Sequence, residues 1–142
     1  MKYFGLIIMF CVFGCKVKAP SLSKESNVDT ILIYSLPQFS SYLTNVDCVK
    51  IKKKEDVTVT KITDGAKIKE LLEVIKQKNL EVNDSSIQLD IRMLMEFKSK
   101  EILIKTLCWS PLEFVKIDDK VYRYNKKVED IFLKEKLIIK VN

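Results

Sequence analysis

The residue pattern predicts an α+β domain: a single antiparallel sheet with one main amphipathic helix packed on it and a short C-terminal helix. Three observations carry this. Gln88 to Lys98 alternates, with Leu89, Ile91, Met93, Met95 and Phe97 on one face and Gln88, Asp90, Arg92, Glu96 and Lys98 on the other. Leu94 is the exception, and a sheet with one buried and one wet face gives this period of two. Ile68, Leu71, Leu72 and Ile75 follow the i, i+3, i+4, i+7 spacing of a helix that buries one stripe. Several β-branched runs are separated by turn residues, as expected of paired antiparallel strands.

Thr30 to Ser35 reads as the first strand, ended by Leu36-Pro37. Within Gln38 to Asn45, the spacing of Phe39, Tyr42 and Leu43 suits a helical turn. Asp47 to Lys53 alternates, with Val49 and Ile51 opposite Cys48, Lys50 and Lys52. With Val57 to Ile62 it predicts a hairpin about Glu55-Asp56. Thr63 or Asp64 can cap the main helix, and Asn79 suits a left-handed terminator. Asn83 to Ser86 is a loop. Glu101 to Trp109 is apolar on both faces and therefore central. Phe114 to Ile117 and Val121 to Tyr124 form a hairpin around Asp118-Asp119-Lys120. Lys126 to Lys136 places Val128, Ile131 and Phe132 on the inner side of the second helix. Leu137 to Val141 is a last edge strand or a packed tail. The order is two or three strands, the main helix, four strands and the short helix.

The chain has 142 residues, enough for one domain with a real core, and its 47% hydrophobic and 31% charged content is that of a globular protein. The formal net charge is +6, but of 25 basic residues only Arg92 and Arg123 are arginine. Arginine is the usual reader of base edges and phosphates, so the basic balance does not indicate nucleic acid.

The first residues set the compartment. Lys2 is followed by an apolar run, Tyr3 to Phe13, and then by Gly14-Cys15. The run is about half of the ~20 residues that span a bilayer as a helix. This start resembles a bacterial lipoprotein signal peptide, with Val12 at the aliphatic position and Gly14 and Cys15 at the cleavage site. The resemblance covers Met1 to Cys15 only; the globular part resembles no family. It implies a diacylglyceryl group on the Cys15 thiol, cleavage after Gly14, and a membrane anchor made of acyl chains. Ordinary secretion with cleavage nearer Ala19, or an uncleaved anchor, are the alternatives. The organisation is then residues 1–14 as signal peptide, 15–28 as lipidated cysteine and flexible tether, and 29–142 as the α+β domain. The residue after Cys15 is Lys16, not the aspartate associated with inner-membrane retention in some Gram-negative bacteria. The implied location is the cell envelope, on an outer membrane facing the periplasm where the source has one.

No noncovalent cofactor is indicated. Histidine is absent, which excludes Ser-His and Cys-His nucleophile systems and makes a zinc site improbable. The glycines, Gly5, Gly14 and Gly65, make no phosphate loop. Asp118-Asp119 reads as turn chemistry before it reads as a carboxylate pair. Cys48 and Cys108 either pair, as an oxidising compartment allows, or are buried free thiols. Lys50, Lys52, Lys53 and Lys54 form a cluster that either attracts an anionic surface or protects a solvated edge strand. Trp109, Tyr122 and Tyr124 could make an aromatic recognition surface, with core packing the alternative for Trp109. The sequence thus points to a non-catalytic interaction module, of inhibitor or immunity type, with an envelope protein or polymer as partner. The alternative is a carrier of a small or lipidic ligand between helix and sheet, with Met93, Met95 and Phe97 lining the cavity or filling it as core.

Overall fold

The computed structural model describes residues 27–38, 41–42, 44–83 and 87–137. Its centre is one seven-stranded antiparallel sheet with two helices on it, an α+β fold that is mostly sheet. The strands are β1 (Thr30–Ser35), β2 (Thr58–Ile62), β3 (Leu80–Val82), β4 (Met93–Ser99), β5 (Ile102–Ser110), β6 (Phe114–Ile117) and β7 (Lys120–Tyr124). The helices are α1 (Gly65–Leu72) and α2 (Lys126–Lys134). Strand order across the sheet is β2-β1-β4-β5-β6-β7-β3. As its two apolar faces predict, β5 is the middle strand.

Cross-strand register builds the helix-side core in rows. Ile33 faces Met95, Met95 faces Leu107, and Leu107 faces Ile117. A second row joins Met93, Trp109 and Val115. Ile68 and Leu71 of α1 and Val128, Ile131 and Phe132 of α2 close over these rows. Trp109 and Tyr124 each meet Phe132 edge-on, with ring centroids 6.5 and 6.1 Å away. Such contacts add to the burial term for large rings.

Local chemistry sets the helix starts and the turns. Asp64 Oδ1 accepts from the Lys67 amide at 2.9 Å and caps α1. Asn125 Oδ1 accepts from the Val128 amide at 3.3 Å and caps α2. The two-residue turns Lys100-Glu101 and Asp118-Asp119 both take positive φ, the twist that suits a tight antiparallel hairpin.

Several sequence expectations are corrected. Residues 47–53 are not a strand: Asp47 Oδ1 accepts from the amides of Val49 (2.9 Å) and Lys50 (2.7 Å), bending the chain into a 3-10 turn, Lys50–Lys53. Val49 and Ile51 consequently part company, Val49 at 74% exposure and Ile51 fully buried. β2 pairs with β1 instead of with this segment. The helical turn expected in 38–45 is absent from its described residues, and Phe39 and Leu43 lie outside them. Asn79 is not left-handed; it is buried, and its Nδ2 donates to the Glu73 carbonyl at 2.7 Å. The strand expected over 88–98 begins only at Met93, and its second face is not wet. β3 was not expected, and residues 138–141 of the expected strand or tail lie outside the described residues.

Candidate functional site

The unexpected layer lies on the face of the sheet away from the helices. There Tyr34, Leu94 and Cys108 follow one another across β1, β4 and β5. The chain on either side of the 3-10 turn, together with residues 89–91, folds over this row. Leu36, Val46, Ile51 and Ile91 join Leu94 and Cys108 in a second buried cluster. Leu94, the residue that breaks the alternation, is the sheet's contribution to it.

Two devices fasten the layer. Cys48 and Cys108 are joined by a disulfide, with Cα atoms 5.9 Å apart, linking the covering segment to the central strand. A polar network then fixes the residues leading into β4. Asp90 Oδ1 accepts from the Val46 amide (3.1 Å), and Asp90 Oδ2 accepts from Arg92 Nε (2.9 Å) and Nη2 (2.5 Å). The Ile91 amide donates to the Val46 carbonyl at 2.8 Å. The Arg92 guanidinium and the Lys54 ammonium lie 4.6 and 4.8 Å from the centre of the Tyr42 ring, and Tyr42 Oη donates to Asp56 at 2.5 Å. Arg92 is buried, so its ion pair and ring contact offset a desolvation cost that a lone guanidinium would carry. Sequence reading missed this network. Its trace is one of only two arginines, two residues from an aspartate.

The lysine cluster is largely spent within the fold. Lys52 pairs with the buried carboxylate of Glu96 and lies 4.8 Å from the Tyr34 ring centre. Lys50 pairs with Asp47 at 3.0 Å, and Lys54 stacks on Tyr42. Lys53 is exposed and makes no ion pair among the described residues. The amides of Lys50 and Val49 and the Lys50 ammonium hold the Asp47 carboxyl below its ordinary value, the Lys50 amide most strongly.

Beside the disulfide, the part of this face that the covering segment leaves open is a cleft of about 300 Å³. Leu94, Cys108 and Val49 supply apolar walls, and Thr106, Glu96 and Lys116 supply polar ones. A second cleft of about 280 Å³ shares Cys48, Lys116 and Asp119 with it. Lys116 pairs with Asp119 at 3.0 Å, and Asp118 Oδ1 accepts from the Thr106 amide at 3.5 Å. Asp118 and Asp119 are therefore hairpin residues engaged with their neighbours.

The aromatic residues stay together on the helix side, with Tyr122 and Tyr124 partly buried against the cluster that holds Trp109. Trp109 is buried among the helix-side residues, and its Nε1 donates to Tyr124 Oη at 3.0 Å. Burial pushes the Tyr124 phenol above its ordinary value. Met95 and Phe97 have no accessible area, so no space large enough for water adjoins them. Gly14 and Cys15 lie outside the described residues. No group of residues suited to hold a metal occurs among the described residues, and none of their helices is long and apolar enough to cross a membrane. The chain matches no known family model, no curated protein and no solved structure.

Proposed function

We propose that this is a lipid-anchored protein of the bacterial cell envelope, held by acyl chains on Cys15, whose folded part is a non-catalytic interaction module. Its partner is an envelope protein or polymer, in the manner of an inhibitor or immunity protein. The observation that carries the reading is the apolar run ending at Gly14-Cys15, followed by a polar stretch to Val28. The Cys48–Cys108 disulfide supports it, because such a bond persists in oxidising compartments. The absence of histidine from the whole chain and the mutual neutralisation of Lys50, Lys52, Lys116 and their acidic partners support a binding role over a chemical one. On this reading the protein uses no noncovalent cofactor and faces the periplasm from the outer membrane where the source has one. The loop-side clefts beside the disulfide are the surface on which a partner is sought first.

Intact-mass analysis of the native protein tests the anchor. The expected product starts at Cys15 and carries a diacylglyceryl mass, with or without a further acyl group. A product that retains Met1, or one that starts elsewhere without acyl mass, overturns the reading. Co-purification from envelope extract, with mass spectrometry of what is retained, tests the interaction role.

A further inference from the structure

The β4–β5 hairpin ends in a feature that folding does not use. Its turn, Lys100-Glu101, is followed at once by two apolar residues, Ile102 at 68% and Leu103 at 49% exposure. Hairpin tips in water are ordinarily polar, because an exposed apolar pair gains nothing from the fold. The turn is held in place by the start of the domain. The Asp29 amide donates to the Lys98 carbonyl at 3.0 Å, and Asp29 Oδ2 accepts from the Lys100 amide at 2.8 Å. β1 then runs away from the tip, antiparallel to β4. The first described residues therefore sit at the hairpin end of the sheet. Leu112, also exposed, lies in the β5–β6 turn at the opposite end.

We infer that the β4–β5 hairpin tip is a membrane contact, with Ile102 and Leu103 entering the boundary between phospholipid headgroups and acyl chains. The inference rests on the lipid-anchor reading, which it deepens by giving the domain an orientation. A chain anchored at Cys15 enters the fold beside the tip, so the tip is the end of the sheet nearest the bilayer. The stretch from Lys16 to Val28 spans a few tens of ångströms at most at ~3.3 Å per residue. Within that reach the tip meets the leaflet at high effective concentration, so a contact too weak to recruit a free protein suffices to orient a tethered one. Lys100, exposed beside the pair, stays at headgroup level, where a long cationic side chain keeps its charge in water. With the tip down, the β5–β6 turn points away from the membrane.

The test uses the processed, full-length mature protein reconstituted in vesicles of phosphatidylethanolamine and phosphatidylglycerol, with or without brominated acyl chains. Two variants are compared, I102W at the tip and L112W at the far end. Trp109, being buried, supplies a constant background and reports that the fold is intact. The expected result is a blue-shifted I102W emission quenched about twofold by bromine, with L112W red-emitting and unquenched. Equal quenching of the two, or none for I102W in protein that floats with the vesicles, overturns the hairpin contact and leaves the anchor standing. A blue shift that grows with protein concentration without bromine quenching assigns the tip to a second copy and also overturns it. Protein that neither floats nor carries acyl mass removes the anchor, and the contact falls with it.

Discussion

The two faces of the sheet are covered in different ways. On one, two capped helices lay regular apolar stripes over rows of β-strand side chains, and sixteen buried residues among those described share one cluster. On the other, an irregular segment and a short lead-in to β4 cover a cluster of six buried residues. Burial contributes roughly in proportion to apolar area, so the helix side has the larger reserve. The loop side adds a disulfide, the ion pair of buried Arg92 with half-buried Asp90, and cations against Tyr42. The comparison teaches that an irregular segment with few apolar residues can still form a layer, provided covalent and polar links reduce the entropy it must lose. The clefts beside the disulfide lie on this loop side.

The largest effect is expected from Phe132→Ala, which removes the ring that Trp109 and Tyr124 both meet. The loss is about 3–5 kcal/mol in urea unfolding. A loss under about 1 kcal/mol would mean that the helix layer is not the main reserve. Next comes the paired substitution Cys48→Ser with Cys108→Ser, expected to cost about 2–4 kcal/mol because the bond closes a long loop. Its thermal midpoint should fall less than that of the Phe132 variant; the reverse order would invert the comparison. Asp64→Ala removes the α1 cap and should cost about 1 kcal/mol, recovered by Asp64→Ser but not by Asp64→Leu.

Acidification acts on both faces. Contacts to the Lys100 amide hold Asp29 low, contacts to the Lys50 amide hold Asp47 low, and the Lys76 ammonium holds Glu73 low. A carboxyl whose folded value lies below its unfolded one adds stability that is fully present above the unfolded value. That stability disappears as pH falls through the folded value. Urea midpoints should therefore be flat from pH 7 to about 5 and decline below the ordinary carboxylate range. Asp47→Asn should flatten part of that decline, and an unchanged profile would remove Asp47 from the account. The smallest effect is expected from Lys53→Ala, within about 0.5 kcal/mol of the parent, since this lysine is exposed and without an ion pair among the described residues. Lys52→Ala leaves the buried Glu96 with one cation fewer and should cost more.

The same contrast explains what was legible in the sequence. The helix-side rows obey strict periods, so Met93, Met95, Phe97 and the α1 stripe could be placed from spacing alone. β1 follows from its β-branched run, and the Asp118-Asp119 turn from its residue types. The loop side has no period. Lys50 to Lys53 looked extended because a 3-10 turn and a strand differ here only in whether Asp47 accepts from the next amides. Gln88 to Lys98 looked half-wet because Arg92 and Glu96 are charged, although Lys52 reaches Glu96 from a distant segment and Arg92 is held by Asp90 two residues away and by the distant Tyr42 ring. Leu94 was the visible sign that something covers that face. β3, three residues long, is too short for periodicity and exists only because β7 offers it an edge. The clefts were the least legible, since they arise where distant segments meet.

Native-state hydrogen exchange, with the disulfide intact and after reduction by a dithiol, tests the unequal layering most directly. Reduction should strip protection from the loop-side amides of Val46, Ile51 and Ile91 by a hundredfold or so, in keeping with ~2–4 kcal/mol for such a bond. The β4–β5 amides between Met93 and Trp109 should stay protected. If loop and sheet amides lose protection together and by the same factor, the two faces form a single cooperative unit and the account is wrong.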